Sequence, residues 1–225
     1  MKSHIEISQS ILKKANCIEK NLIILKKENL PQKLSDEISG VFVKYDNIRI
    51  KILPHIEKNT VHPFKNPNLF LIVFLYKEIS KIFNEVNNLV TNGSAHVNIS
   101  PEVFPEMRQL RENLMILAFI GDSAIELGVI SSIWPQEISH KIPEKGTLDN
   151  DKKYLTAGKC QSKLWDFLVL DDEKIVTSSQ KSTRIKSSQF EAIFGIIYLE
   201  GGQDAIEMAI TVLKCNFGKN CDKML

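Results

Sequence analysis

Two carboxylates, Asp122 and Glu126, stand four residues apart inside LMILAFIGDSAIELGVISSIW (Leu114–Trp134), a run otherwise made of apolar or small residues. On a helix that spacing puts both acids on one face. An ionised carboxylate in apolar surroundings is costly unless it is paired, hydrogen-bonded or bound to a cation. A third acid, Glu191, sits in a similar setting, SSQFEAIFGIIYLEGG. Hard oxygen ligands converging from such segments suit Mg2+, with Mn2+ as a substitute. Ion pairs with distant Arg or Lys, or capping of neighbouring helices, fit the same spacing, and spacing alone does not choose between these readings.

The elements that must position these acids read as helices. Around Glu191, Phe190, Ile193, Phe194, Ile197 and Tyr198 form an apolar stripe, while Ala192 and Gly195 admit a close neighbour. Ala118, Gly121, Ile125 and Gly128 make a comparable small-residue face in the Asp122 segment. Two such faces can pack tightly enough to aim Asp122 and Glu191 at one point. A helix from about Pro105 to Ser132, closed by Trp134-Pro135, carries the first face; Ser187–Leu199, ended by Gly201-Gly202, carries the second. Lys141–Asp149 reads as a loop, Lys152–Leu170 as an amphipathic helix ended by Asp171-Asp172-Glu173, Thr177–Lys186 as a basic serine-rich loop, and Asp204–Cys215 as a last helix.

The N-terminal part is also helical in pattern. Ile5, Ile11, Leu12, Ile18, Leu22 and Leu25 share a stripe that Leu30-Pro31 breaks. A second helix is expected from about Lys33 to Leu53, with Leu34, Ile38, Val41, Tyr45, Ile48 and Ile52 inward and Pro54 as its stop. VFVKYDNIRIKI could also make a strand–turn–strand, but the helical spacing holds over more residues. Residues 55–65 read as a connector. Asn66-Pro67 opens a helix to about Thr91 that Gly93 stops. Gly93–Ser100 reads as a linker, dividing the chain into a helical N-terminal extension (1–100) and a C-terminal domain (101–225). The expected fold class is all-α.

Charge is uneven: residues 1–100 hold 14 Lys/Arg against 9 Asp/Glu, and residues 101–225 hold 15 against 18. A basic front and acidic back suit a polyanion partner beside a cation site, and random surface charge accounts for them equally well. The four cysteines, Cys17, Cys160, Cys215 and Cys221, form no C-x-x-C pair, and no signal peptide is visible, so reduced thiols in a cytoplasmic setting are expected. Leu69–Tyr76 is too short to span a bilayer, and Leu114–Trp134 would place two acids at its centre; both are expected as buried helices, not membrane spans.

FIGDSAIEL (Phe119–Leu127) resembles the signature of the ribonuclease III family: Gly-Asp followed by a helix with Glu at the fourth position after the Asp. FEAIFGIIYLEGG (Phe190–Gly202) is similar to that family's second acidic motif. The resemblance covers roughly Arg108–Leu213. Of the four acids that usually serve the family's metals, Asp122 and Glu191 match two, while Ala118 and Ser188 occupy the other two positions. Both departures resemble the Mini-ribonuclease III branch, to whose strings LAFIGD, SSQFEA and, less closely, TAGKCQ (Thr156–Gln161) are similar. The Tyr-Leu-Glu-Gly-Gly ending looks more like full-length ribonuclease III.

The resemblance implies a ribonuclease III-type endonuclease domain that hydrolyses double-stranded or structured RNA, leaving 5′-phosphate and 3′-hydroxyl ends, as a homodimer whose subunits each cut one strand. Asp122 and Glu191 would hold Mg2+, which acidifies a water for in-line attack. Glu126 would support the site from behind or pack the helix, and Ser188 would hydrogen-bond a water on the metal. Lys152, Lys153 and Lys159, with Lys181, Arg184 and Lys186 leading into the Glu191 helix, are the expected RNA phosphate contacts. The 23 residues after Gly202 are too few for a double-stranded-RNA-binding domain. The rival readings are an inactive ribonuclease III fold that binds RNA or builds a ribonucleoprotein, and a helical adaptor with salt-bridged acids.

Overall fold

The structure is a computed structural model that describes residues 4–133, 155–169 and 182–221; every regular element within them is helical. The helices are α1 (His4–Leu25), α2 (Gln32–Asn47), α3 (Leu53–Thr60), α4 (Leu69–Thr91), α5 (Val103–Arg108), α6 (Leu110–Ile133), α7 (Gly158–Val169) and α8 (Thr183–Cys221). The protein is all-α. Trp134-Pro135, Lys141–Asp149, Asp171–Glu173 and the start of the basic loop lie outside the described residues.

The expected stop at Pro54 does not occur. A π turn, Ile48–Ile52, joins α2 to α3, and the chain stays helical to Thr60. Proline lacks an N–H and its ring crowds the carbonyl four residues back. A widened turn immediately upstream accommodates both, and π turns serve that purpose inside helices. Val61, with φ 53°, ends the run. Residues 55–60 are thus helix rather than connector.

Contacts divide the chain into two compact units: 1–50 with 66–114, and 51–65 with the described residues after 114. The division differs from a boundary near residue 100, because the Gly93–Ser100 linker falls within the first unit and residues 51–65 within the second.

The first unit is built on α4, against which α1, α2 and α5 pack. Seven consecutive α4 residues, Leu69–Leu75, are buried, so this end of the helix is covered on every side. Burying each such side chain is worth roughly 1.5–3 kcal/mol. Polar groups fix the packing: Tyr45 Oη donates to Asn68 Oδ1, while Asn68 Nδ2 donates to Asn16 Oδ1 (2.9 Å) and Glu19 Oε2 (2.7 Å). One side chain therefore links α1, α2 and α4. Ser80 Oγ donates to the Met107 carbonyl at 2.8 Å and holds α5 on α4.

In the second unit, α8 packs against α7 and α3. Its helix begins at Thr183, where the Ser182 carbonyl accepts from Ile185 N (2.9 Å) and Lys186 N (3.2 Å). Arg184 and Lys186 are therefore helical, not part of a loop. Gly202, at φ 71° and ψ −162°, breaks α8 where the Gly201-Gly202 stop is expected. Leu110–Ser131 is the one described segment long and apolar enough to cross a bilayer. Its glycine face is packed against α8, but only 44 % of its most apolar stretch is buried, so it is covered on one side rather than wholly buried as expected.

Candidate functional site

The small-residue faces read from the sequence meet backbone to backbone. A Cβ added to Gly121 of α6 would lie 1.7 Å from the Glu191 carbonyl oxygen and 2.6 Å from Gly195 N. A Cβ on Gly195 of α8 would lie 2.1 Å from the Leu117 carbonyl oxygen. Further along, a Cβ on Gly128 would come within 2.6 Å of Ile210 Cδ1. Glycine at these crossings lets the helices touch, and the residue after Gly121 is Asp122.

Asp122 and Glu191 are brought within electrostatic reach of each other. The Glu191 carboxyl is pushed up to about 7, first by burial and next by the negative charge of Asp122. Hydrogen bonds from Ser187 and Gln161 hold it partly back. Ser187 Oγ lies 3.3 Å from Glu191 Oε1, one helical turn away, and also contacts Gln161 Oε1. Gln161, on α7, is 1 % exposed, and its carboxamide neighbours Glu191. The site thus holds two carboxylates, a hydroxyl and a buried carboxamide.

The serine that bonds Glu191 is Ser187, the neighbour of the one singled out in the sequence. Ser188 makes no described bond to Glu191; Ser187, one turn before it on α8, does. Gln161 carries the weaker motif string TAGKCQ, which was the available signal for it. Glu126 lies half-buried on α6, one turn beyond Asp122, and is not among the groups that shift Glu191. Ala118 is buried and brings no charge.

Of the expected RNA contacts, Lys159 and Arg184 are exposed. Lys186 is committed within the protein: its Nζ is 2.5 Å from Asp166 Oδ1 and lies over the Trp165 ring at 5.3 Å. Lys152, Lys153 and Lys181 lie outside the described residues. Cys17, Cys160 and Cys215 are free thiols.

The acid of the Tyr-Leu-Glu-Gly-Gly ending does structural work that its sequence did not announce. Glu200 Oε2 accepts from the Lys65 backbone N–H at 2.9 Å and lies 3.3 Å from His62 Nε2, with both side chains nearly buried. It anchors residues 61–65 on α8.

No group of three or more metal-ligating side chains occurs among the described residues. Two carboxylates fit Mg2+ nevertheless, since that ion is commonly held by one or two carboxylates with its remaining positions left to water and phosphate. The proton affinity of Glu191 is raised first by burial and next by the charge of Asp122, and a cation beside both carboxylates would oppose both effects. Comparison of the chain with family models, curated proteins and solved structures gave no match.

Proposed function

We propose that this chain is a Mg2+-dependent endoribonuclease of the ribonuclease III type, acting on double-stranded or structured RNA. The carrying observation is the Gly121–Gly195 crossing, which sets Asp122 beside a half-buried Glu191 whose carboxyl is pushed up to about 7. Asp122 and Glu191 would hold the ion, which would supply Lewis-acid activation of water and neutralisation of phosphate charge. Ser187 hydrogen-bonds the Glu191 carboxylate, and the buried Gln161 carboxamide stands beside it. Lys159 and Arg184 extend the surface toward phosphates.

A homodimer belongs to this reading, supported by the side of α6 that faces away from α8. Ile116 (42 % exposed), Phe119 (73 %), Leu127 (55 %) and Ile130 (47 %) form one apolar stripe. The stripe reads the same in both directions about Ser123: Phe119 and Leu127 lie four residues either side, Ile116 and Ile130 seven. Two copies crossing antiparallel at Ser123 would pair Phe119 with Leu127 and Ile116 with Ile130, as a two-fold interface requires.

Incubating the purified protein with a long RNA duplex, with and without Mg2+, tests the proposal. Metal-dependent cutting abolished by Asp122→Asn is expected. The second reading, an inactive RNA-binding fold, is favoured by the neutral residues Ala118 and Ser188 where the family pattern has acids; binding without cutting would establish it and overturn the nuclease.

A further inference from the structure

The first unit carries a polar groove that the Asp122–Glu191 site does not use. About 460 Å³ in volume, it lies between α4 and the α5–α6 junction and is lined by Tyr76, Lys77, Lys81, Asn84, Arg108 and Arg111, among others. Lys81 is taken up by Glu37 (2.8 Å) and Glu85 (3.7 Å). Lys77, Arg108 and Arg111 are exposed, and no described acid pairs with any of them. Three cations without an ion pair therefore line one open channel, Lys77 with its ammonium 5.9 Å from the Tyr76 ring centroid.

The framework beneath them is fixed. The Ser80 hydroxyl is spent on the Met107 carbonyl, which sets the arginine-bearing junction against α4. Burial raises the Tyr76 phenol, and Arg111 is close enough to oppose that rise in part. Along α4, Lys77, Lys81, Asn84 and Asn88 recur at helical spacing, a stripe about 16 Å long. Cations with carboxamides at intervals suit a phosphodiester backbone, and on A-form RNA the amides can also meet 2′-hydroxyls.

We infer that this groove is a second binding surface for duplex RNA, contacting backbone phosphates through Lys77, Arg108 and Arg111. The choice of duplex RNA over other polyanions rests on the nuclease reading; the presence of an anion groove does not.

The test uses the full chain. Binding of a labelled RNA duplex is measured by fluorescence anisotropy in EDTA at several salt concentrations, for wild type, Arg108→Gln/Arg111→Gln, and Lys13→Gln/Lys20→Gln, which removes the same charge from an exposed face of α1. The groove variant should bind about fivefold or more weakly, with the slope of log K against log salt reduced by about 2; the α1 variant should match wild type. Equal weakening by both variants, unchanged affinity and slope in the groove variant, or no binding by wild type overturns the inference, and tighter binding of a DNA duplex than of RNA overturns its assignment to RNA.

Cleavage separates this inference from the nuclease reading. If wild type binds but does not cut while the groove variant binds weakly, the groove stands and the nuclease falls. If the groove variant binds normally while Asp122→Asn abolishes cutting, the groove falls and the nuclease stands.

Discussion

Gly121 of α6 faces the backbone of Glu191 on α8 so closely that a single added methyl would lie 1.7 Å from the Glu191 carbonyl oxygen. The obstacle is main chain, which cannot swing aside as a side-chain tip can. The same contact that excludes a side chain at residue 121 delivers the neighbouring Asp122 to Glu191, so stability and site geometry depend on one atom's width.

Gly121→Ala should therefore destabilise the protein by about 3 kcal/mol or more, beyond the usual range for overpacking because backbone must move. Gly40, inside α2 with nothing within 4 Å of its added Cβ, is the matched control. Gly40→Ala should stabilise by up to about 1 kcal/mol through helix propensity. Thermal and denaturant unfolding of the two variants should move in opposite directions; a similar loss from both would contradict the backbone-contact account.

Glu191 predicts how metal-free protein responds to pH. Its folded pKa of about 7 lies above the ordinary 4.5, so the folded state holds the proton more tightly than the unfolded state does. The sign follows: this group's favourable contribution is complete below about pH 4.5 and is lost as pH rises toward about 7. In EDTA, wild type should lose stability over that window relative to Glu191→Gln, and millimolar Mg2+ should restore it if the ion binds the carboxylate. Parallel stability profiles for the two proteins would remove this assignment.

Ser187 and Ser188 separate geometry from motif matching. Ser187→Ala removes the hydroxyl 3.3 Å from Glu191 Oε1 and should reduce Mg2+-dependent cleavage severalfold, with a higher Mg2+ requirement. Ser188→Ala should leave both close to wild type. The reverse order would return the role to Ser188.

These residues also show what a sequence can disclose. The inward stripe Leu34, Ile38, Val41, Tyr45, Ile48 and Ile52 is buried as its spacing requires, because periodicity reports the face that leaves water. The small residues of both motif segments likewise announced a close helix crossing. The π turn before Pro54 was not legible, since proline's usual effect is to stop a helix and only the packing of the following residues makes continuation favourable. Nor was the engagement of Lys186 by Asp166, twenty residues away, or the approach of Gln161 to Glu191 from another helix. Local pattern specifies elements; partners distant in sequence become visible only when the elements have packed.

Glu200 offers a test of the second unit that does not involve the carboxylate pair. Replacing it with Ala leaves the Lys65 N–H and the buried His62 ring without their acceptor. A buried donor stripped of its partner costs about 1–3 kcal/mol. Glu200→Ala should lower the unfolding midpoint accordingly, and Glu200→Gln, which keeps an acceptor oxygen, should recover part of the loss. Hydrogen exchange should report the opening at residues 61–65 first; unchanged protection there would show that the anchor is dispensable.

The apolar stripe on α6 makes the oligomeric state a test of the dimer proposal. Phe119 is 73 % exposed and Leu127 55 %, and neither reaches the core, so charging them should spare the fold. In the antiparallel pairing each Phe119 faces a Leu127 of the other copy, and Phe119→Glu/Leu127→Glu would oppose like charges in an apolar seam, where desolvation adds to repulsion. Sedimentation should find wild type as a dimer at micromolar concentration and the double variant as a monomer with an unchanged helical spectrum. Phe119→Lys/Leu127→Glu places opposite charges at each symmetry-related contact and should regain part of the association. A wild-type monomer, or a double variant that still dimerises, would assign the stripe to some other cover.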